Sequence, residues 1–183
     1  NIDGRIRFIF QPAEEIAPGG AAIMIKSGVI KGVDHILGAH ILPTLSPQKI
    51  GIKYGSMAAT VEKIHISIYG PGGHTSRPSE SVDLISTQSN LIVSLENVLN
   101  KELNENEKVV LAFGKVKGGH TCNVLPSEII LEGTLRYLDS KLKSKLHKLI
   151  KNTIKIVERS TNAKIDFEIP HSSPGLENDK RCT

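Results

Sequence analysis

The chain has 183 residues, of which 39% are hydrophobic and 23% charged, an ordinary composition for a globular protein. Its formal net charge of +4 is spread along the sequence without a basic block, which argues against nucleic-acid binding. The apolar runs are too short to span a bilayer. Cys122 and Cys182 are too few and too far apart for a disulfide framework or a Cys-x-x-Cys metal site. We therefore expect a cytoplasmic protein that binds neither nucleic acid nor membranes.

The first fifty residues have the pattern of a parallel α/β sheet. "GRIRFIFQP" (residues 4–12) alternates polar and apolar residues and stops at Pro12, which predicts a buried strand. "AAIMIKSGVIKG" (21–32) has helical spacing, and "VDHILGAHILP" (33–43) predicts a second strand. Strand, helix and strand together predict one βαβ unit. The sequence opens on Asn1 and closes on "ENDKRCT", which completes no element, so we expect a segment of a longer protein.

The rest of the chain predicts a different architecture. Alternation predicts strands, and helical periodicity with Ser79, Ser81 or Asp139 as N-caps predicts helices. The predicted strands are 57–69, 108–117, 128–138 and 164–169, and the predicted helices are 79–101 and 139–160. The order βαββαβ predicts a ferredoxin-like sandwich, with two helices on one face of an antiparallel sheet. The predicted fold class is therefore α/β plus α+β.

Two carboxylates and a histidine in the first part could carry chemistry. Glu14 and Glu15 follow the first predicted strand, where one carboxylate could bind a metal and its neighbour could act as a general base. The alternative is a solvated pair or a helix N-terminus that favours negative charge. His40 ends the next predicted strand, and the carboxyl ends of parallel strands share one sheet edge. A carboxylate with a histidine suits Zn²⁺ or Mn²⁺.

The second part contains three further candidates. His74 lies in the glycine-rich turn "GPGGHTSRP", Asn123 in the loop "GGHTCNVLP", and Arg136 in "GTLRYLD". An imidazole, an amide and a guanidinium could polarise a carbonyl and clamp a carboxylate. The alternative is ordinary loop and strand polarity. The other histidines receive no function: His35 is interpreted as structural, His120 has no assigned role, and His65, His147 and His171 are interpreted as surface or strand residues.

Five motifs in this order, "FIFQPAEE", "GAHILP", "GPGGHTSRP", "GGHTCNVLP" and "GTLRYLD", resemble the M20 metallopeptidase family. The closest branch is the amidohydrolases that cleave N-acyl amino acids, hippurate and auxin–amino acid conjugates. The resemblance covers nearly the whole chain. It implies a partial α/β catalytic domain over residues 1–54, an inserted lid or dimerisation domain over 55–169, and a return segment over 170–183.

The resemblance also implies a role for each candidate. Glu14 matches the general base, Glu15 and His40 match metal ligands, and His74 matches the lid histidine that stabilises an oxyanion. Asn123 and Arg136 match lid residues that bind the substrate. The family holds two divalent metals, Zn²⁺ or Mn²⁺, and its lids pair into homodimers. Because the upstream and C-terminal ligands of the family have no counterpart here, we expect this chain to be inactive alone.

Two other functions remain to be weighed. The chain could be a non-catalytic dimerisation or binding module, with an exposed edge strand near Val109–Val116 as its pairing surface. An RNA-binding ferredoxin-like domain needs exposed stacking aromatics, and the strand at 57–69 offers only Tyr69. We therefore favour a metal-dependent amidohydrolase, represented here by part of its sequence.

Overall fold

A computed structural model describes residues 3–16 and 19–183. The elements in chain order are α1 (Ala21–Lys26), β1 (Gly55–Ala58), β2 (Thr60–Tyr69), β3 (Gly73–His74), α2 (Leu84–Glu102), β4 (Val109–Gly118), β5 (Val124–Leu125), β6 (Glu128–Tyr137), α3 (Lys143–Thr161), β7 (Lys164–Ser173) and β8 (Leu176–Asn178). Short 3₁₀ helices lie at Pro78–Glu80 and Ser140–Leu142. Among the described residues, no helix has the length and apolar character needed to cross a membrane.

The chain divides into two compact units. The first unit consists of the residues up to Ile52 together with Lys180–Thr183, and the second, which we call the sheet unit, is Lys53–Asp179. The fold as a whole is of the mixed α/β class. The two units differ in how far their apolar side chains are buried, so each is described by itself.

The sheet unit is built on a four-stranded antiparallel sheet in the order β4–β6–β2–β7. Its central strands pair in continuous register, with Ile66 opposite Leu131 on one side and Phe167 on the other. In chain order, the four strands alternate with α2 and α3 as βαββαβ. The predicted strands are therefore present, and β4 and β7 form the two edges.

One face of this sheet carries the hydrophobic core. Alternate residues of β2, namely Ile64, Ile66 and Ile68, are buried, as the period of a strand requires. They pack in one cluster with buried residues of α2 such as Leu91 and of α3 such as Ile150. The cluster is made of isoleucine, leucine and valine with one alanine and one fully buried aromatic residue, Tyr137. A chain with no tryptophan and few other aromatic residues must build its core mainly from aliphatic side chains.

A side chain caps α2, and another caps the 3₁₀ turn that precedes α3. Asp83 accepts hydrogen bonds from the Ser86 backbone N–H at 3.0 Å and from the Ser86 hydroxyl at 2.7 Å, so α2 begins at Leu84. The predicted caps Ser79 and Ser81 are therefore wrong, because Ser79 belongs to the 3₁₀ helix and only Asp83 has the geometry of an N-cap. Asp139 accepts from the Lys141 backbone N–H and caps the 3₁₀ turn before α3, but the helix predicted to start there begins at Lys143 and has no side-chain cap of its own.

The predicted strands of the first unit are absent. Residues 5–12 and 35–42 have no regular secondary structure, and the predicted helix 21–32 is an α-helix only over Ala21–Lys26, followed by turns. The apolar side chains of both segments are exposed: Phe10 by 85% and Ile41 by 86%. The βαβ prediction is therefore wrong for this structure.

The physical reason lies in pairing. A strand satisfies its N–H and C=O groups through a neighbouring strand, and no described residue pairs with either segment. Alternation gives a segment a face that can be buried, but it supplies no partner. Two small pairings complete the structure: β1 with β8, and β3 with β5. The last long strand, β7, continues to Ser173, beyond its predicted end at Ile169.

Candidate functional site

Glu14 and Glu15 lie in a turn of the first unit, and both are exposed. The turn begins at Ala13, which has a positive φ of 52°, and the backbone N–H of Ile16 donates to the Ala13 carbonyl at 3.4 Å. Consecutive side chains in such a turn diverge. The two carboxylates are therefore accessible and differently directed, which suits either distinct roles or simple solvation.

His40 is also exposed, and its ring is oriented by the backbone. Its Nδ1 lies 2.7 Å from the carbonyl oxygen of Ile41. A carbonyl only accepts, so Nδ1 carries the proton and Nε2 keeps its lone pair. Metal-binding histidines are commonly fixed in this way by a backbone carbonyl on the second nitrogen.

The described residues do not make up a complete metal site. No group of three or more His, Cys, Asp or Glu side chains within residues 3–16 and 19–183 could hold a metal ion. A catalytic zinc usually takes three protein ligands, whereas the candidates here are only Glu15 and His40. Their predicted origin at one sheet edge also fails, because the two strands that would form that edge are absent.

His74 and Asn123 are brought together in the sheet unit. Strand β3 pairs antiparallel with β5, which places His74 opposite Val124, the residue after Asn123. The backbone N–H of Thr75 donates to the carbonyl of Asn123 at 3.1 Å. Both side chains are exposed. Two distant loops therefore present an imidazole and an amide from adjacent backbone positions.

Each of these side chains has a hydroxyl neighbour two residues away. The Nδ1 of His74 lies 2.8 Å from the Ser76 hydroxyl and accepts from the Ser76 backbone N–H at 3.2 Å. The Thr121 hydroxyl donates to Oδ1 of Asn123 at 2.7 Å. These local bonds fix the orientation of both side chains without any contact from the core.

Arg136 lies at the other end of the sheet. The β3–β5 pair lies beside Ser127, whose carbonyl accepts from the Gly70 N–H at 3.2 Å, just before β6 starts at Glu128. Arg136 is eight residues further along β6, which at about 3.4 Å per residue is about 27 Å away. One copy of the chain therefore does not bring its guanidinium to the His74–Asn123 pair.

A buried charged cluster lies under α3, at the end of the sheet where Val61 pairs with Arg136. The Glu62 side chain is fully buried on β2, and the Nε2 of His147 lies 2.6 Å from its Oε2. Lys143 lies 3.4 Å from its Oε1, and the Ser172 hydroxyl donates to the same oxygen at 3.4 Å. The interpretation of His147 as a surface or strand residue is therefore wrong, because it lies on α3 and pairs with a core carboxylate.

The cluster has clear electrostatic consequences. Burial on its own would raise the pKa of Glu62, but the hydrogen bond and charge of His147, followed by those of Lys143, outweigh burial and hold it below the ordinary value. The Tyr137 hydroxyl is buried and makes no hydrogen bond of good geometry with a described residue. Burial and the neighbouring charge of Glu62 raise the pKa of Tyr137 to about 12.

A sequence signal for this cluster existed. Glu62 lies an even number of residues before Ile64, Ile66 and Ile68 and therefore shares their strand face. The predicted alternation thus already placed a charged residue on the buried face. A buried carboxylate needs a partner. The partner, however, comes from a helix 85 residues further along the chain, which local patterning does not reveal.

The face of the sheet opposite the helices has a shallow depression of about 470 Å³. Lys115 and Glu132 in its lining form an ion pair at 2.7 Å, and His65 lies 3.2 Å from the Ser67 hydroxyl. We assign no chemistry to this depression.

The chain was compared with proteins of known family. The family model described as peptidase family M20/M25/M40 matches residues 1–183. The N-acyl-L-amino acid amidohydrolase of Geobacillus stearothermophilus is 34% identical over 171 residues, which are 93% of this chain and 46% of that protein. The N-acetyl-L-cysteine deacetylase of Bacillus subtilis is 32% identical over 183 residues, which are 100% of this chain and 44% of that protein.

A solved structure agrees with these matches. The YXEP protein of Bacillus subtilis, described as a dinuclear metal binding peptidase from the M20 family, superposes with a TM-score of 0.75 at 29% sequence identity. The superposition covers 94% of this chain and 42% of that protein. The chain thus spans less than half the length of the relatives it matches. The match of the whole chain and the similarity of the structure confirm the resemblance of the five motifs: the chain belongs to peptidase family M20/M25/M40.

Proposed function

We propose that this chain is part of a hydrolase that cleaves the amide bond of N-acyl amino acids or similar conjugates, and that the 183 residues alone are inactive. Family membership supports hydrolysis, and the names of two relatives, an N-acyl-L-amino acid amidohydrolase and an N-acetyl-L-cysteine deacetylase, support the substrate class. The observation that carries the proposal is the pair formed by His74 and Asn123. Both polar side chains are exposed, come from neighbouring backbone positions and bond to a nearby hydroxyl, which orients them as substrate-binding groups need to be.

In this proposal His74 and Asn123 bind oxygen atoms of the substrate, and Arg136 binds its carboxylate as a bidentate partner. Glu14 acts as the general base, and its exposed position in a turn supports access to a substrate. Glu15 and His40 are two ligands of a divalent metal, Zn²⁺ or Mn²⁺, in a dinuclear site that needs further ligands. The free Nε2 of His40 supports this role. We place the hydrolase in the cytoplasm because both cysteines are free.

We further propose that the ferredoxin-like sheet unit is the lid of this hydrolase and pairs two copies through β4. This strand is one edge of the sheet, and beside it runs a groove of about 430 Å³ between α2 and β4, lined by Ile92, Leu99 and Phe113 among others. Val110 on the strand is 57% exposed. An edge strand with unpaired backbone groups and apolar neighbours suits addition of a second strand.

Because Arg136 is far from the His74–Asn123 pair within one copy, a dimer could bring these groups together from two copies. Two β4 strands related by a two-fold axis run antiparallel, so the sheet end that bears Arg136 in one copy lies on the same side as the His74 end of the other copy. Within one copy the two groups lie at opposite ends of β6, whose backbone spans about 27 Å from Glu128 to Arg136, too far for one small substrate. A dimer of this kind would assemble each substrate site from both copies.

The first experiment tests catalysis in the full-length hydrolase, with N-acetyl amino acids as substrates. Glu14→Gln keeps the size of the side chain and removes its basicity, so kcat should fall about 10²–10⁴-fold with metal content unchanged. Glu15→Gln should instead lower metal content. Glu105→Gln, an exposed glutamate in a loop, is the matched control. Loss of metal in Glu14→Gln with retention in Glu15→Gln would show that the two roles are exchanged.

The second experiment tests the shared site by mixing subunits. His74→Ala and Arg136→Ala enzymes should each be nearly inactive, and a re-equilibrated mixture should regain up to about a quarter of the sites, because half the dimers then hold one intact pair. No recovery after mixing would exclude a site built from two copies. Activity of the 183 residues by themselves would refute their proposed inactivity, and a full-length protein with no amidase activity would favour the non-catalytic binding module.

The third experiment tests the pairing surface by sedimentation. Val110→Lys places a charge on the edge strand and should convert a dimer to a monomer. Ile156→Lys, at an apolar residue of α3 that is 66% exposed, is the control and should leave the dimer intact. A wild-type chain that stays monomeric at high micromolar concentration would contradict pairing through β4.

A further inference from the structure

The hydrogen bonds around His74 determine where its ring carries a proton. The Ser76 backbone N–H, which can only donate, points to Nδ1 at 3.2 Å. Nδ1 must therefore hold a lone pair, and the Ser76 hydroxyl at 2.8 Å must also donate to it. A neutral imidazole has one N–H, which in this arrangement is on Nε2. The turn thus fixes His74 as a hydrogen-bond donor at its outer nitrogen.

The side chain of Asn123 is likewise oriented by a hydroxyl two residues away. A carboxamide has one acceptor end and one donor end. The Thr121 hydroxyl, two residues earlier, donates to the acceptor Oδ1 at 2.7 Å. One of the two lone pairs of Oδ1 is then used, and the NH₂ group of this exposed side chain provides the donors for a ligand. In both loops a hydroxyl two residues away bonds to the acceptor atom of the functional side chain.

We propose that Ser76 and Thr121 are positioning residues, which bond to the acceptor atoms of His74 and Asn123 and so leave the Nε2–H of His74 and the NH₂ of Asn123 as donors for a ligand. The consequence is selectivity for a ligand oxygen that accepts hydrogen bonds, such as a carbonyl, a carboxylate or a developing oxyanion, over a ligand group that donates. The donors come from neighbouring backbone positions, since His74 lies opposite Val124 and Thr75 bonds to the Asn123 carbonyl. The contact with substrate rests on the proposed function, whereas the orientation of the two side chains rests only on their hydrogen bonds.

The orientation of His74 can be measured without substrate. In the ¹⁵N-labelled 183-residue chain, long-range ¹H–¹⁵N correlation at about pH 9, where histidine rings are generally neutral, distinguishes the two tautomers. We expect the Nε2–H form in the wild type. Ser76→Ala should show a mixture of tautomers, because one of the two donors to Nδ1 is lost, and Ser76→Thr should restore the single form. An Nδ1–H ring in the wild type, or an unchanged spectrum in Ser76→Ala, would overturn the proposal for Ser76.

The kinetic arm uses the full-length hydrolase. Ser76→Ala and Thr121→Val should each lower kcat by about tenfold, less than the 10²–10³-fold typical of removing a donor outright. The conservative variants Ser76→Thr and Thr121→Ser should recover the rate. If Ser76→Ala and Thr121→Val both keep the wild-type kcat while His74→Ala is inactive, Ser76 and Thr121 are not positioning residues. A fully active His74→Ala enzyme would instead overturn the proposed function, and the tautomer measurement separates these two failures.

Discussion

The first unit and the sheet unit contain segments of similar hydrophobic pattern, but their apolar side chains are exposed in the first unit and buried in the sheet unit. Residues 5–8, "RIRF", alternate polar and apolar side chains, as do residues 63–68 of β2, "KIHISI". The apolar residues of β2 are buried under two helices, whereas Phe8 and Phe10 are 78% and 85% exposed. The difference in burial comes from strand pairing: β2 pairs with a strand on either side, whereas residues 5–10 pair with no strand among the described residues. Alternation is therefore a condition for a buried strand and not its cause.

The largest expected effect contrasts one apolar residue from each unit. Leu131→Ala removes a fully buried side chain at the centre of the sheet and should lower the free energy of unfolding by about 3–4 kcal/mol. Phe10→Ala removes a larger side chain that is already exposed and should change it by no more than about 0.5 kcal/mol. Urea unfolding of both variants measures the contrast. A cost for Phe10→Ala close to that of Leu131→Ala would show that the first unit buries this ring in solution.

The next effect tests the charged cluster, which has no counterpart in the described part of the first unit. His147→Ala leaves the buried Glu62 carboxylate with only Lys143 and Ser172, and should cost about 2–4 kcal/mol, because an incompletely paired buried charge is expensive. His120→Ala in an exposed loop is the control and should cost less than about 0.5 kcal/mol. Denaturant unfolding at pH 7 compares them. Equal, small costs would mean that His147 does not stabilise the core carboxylate.

The same cluster predicts how stability depends on pH. Because the pKa of Glu62 is lower in the folded than in the unfolded chain, the unfolded chain binds more protons in the interval between the two values. The stabilisation is therefore fully present above the unfolded value of 4.5 and is lost as pH falls through the folded pKa. Asp83, Glu107 and Glu132 have lowered pKa values and add to the same acid sensitivity.

Glu62→Gln isolates the contribution of this one carboxylate. The variant should be less stable than wild type at pH 7, and its free energy of unfolding should fall less steeply between about pH 4.5 and pH 3. Unfolding curves recorded across this interval give both slopes. Parallel slopes in the two proteins would show that Glu62 has the same pKa in the folded and unfolded chains.

The smallest expected effect concerns helix ends. Helix α2 has 19 residues and is capped by the Asp83 side chain. Helix α1 has six residues, and its N-cap is Gly20, which has no side chain to form a capping bond. Asp83→Ala should cost about 1 kcal/mol, and Asp83→Ser should recover most of it. Thermal unfolding followed by circular dichroism is sufficient to measure this. A neutral Asp83→Ala would indicate that packing against the sheet alone fixes the start of α2.

Several features were determined by the sequence alone. The four long strands and two long helices of the sheet unit were predicted from local periodicity, since residues two apart share a strand face and residues three or four apart share a helix face. The short strands β3, β5 and β8 were not predicted. Asp139 was predicted as a cap from its place before an amphipathic run, and the five motifs identified the family. His74 and Asn123 were singled out from their glycine-rich loops, where a side chain is exposed and a partner backbone can approach closely.

Other features depended on tertiary structure, because they join residues that are far apart in the chain. The pairing of β3 with β5 brings the loops of His74 and Asn123 together, and the length of β6 separates them from Arg136. The partner of Glu62 is on a helix 85 residues away. The absence of strands in the first unit has the same origin. Periodicity assigns a face to each segment, but which segments meet depends on the burial and hydrogen bonding that the whole chain can supply.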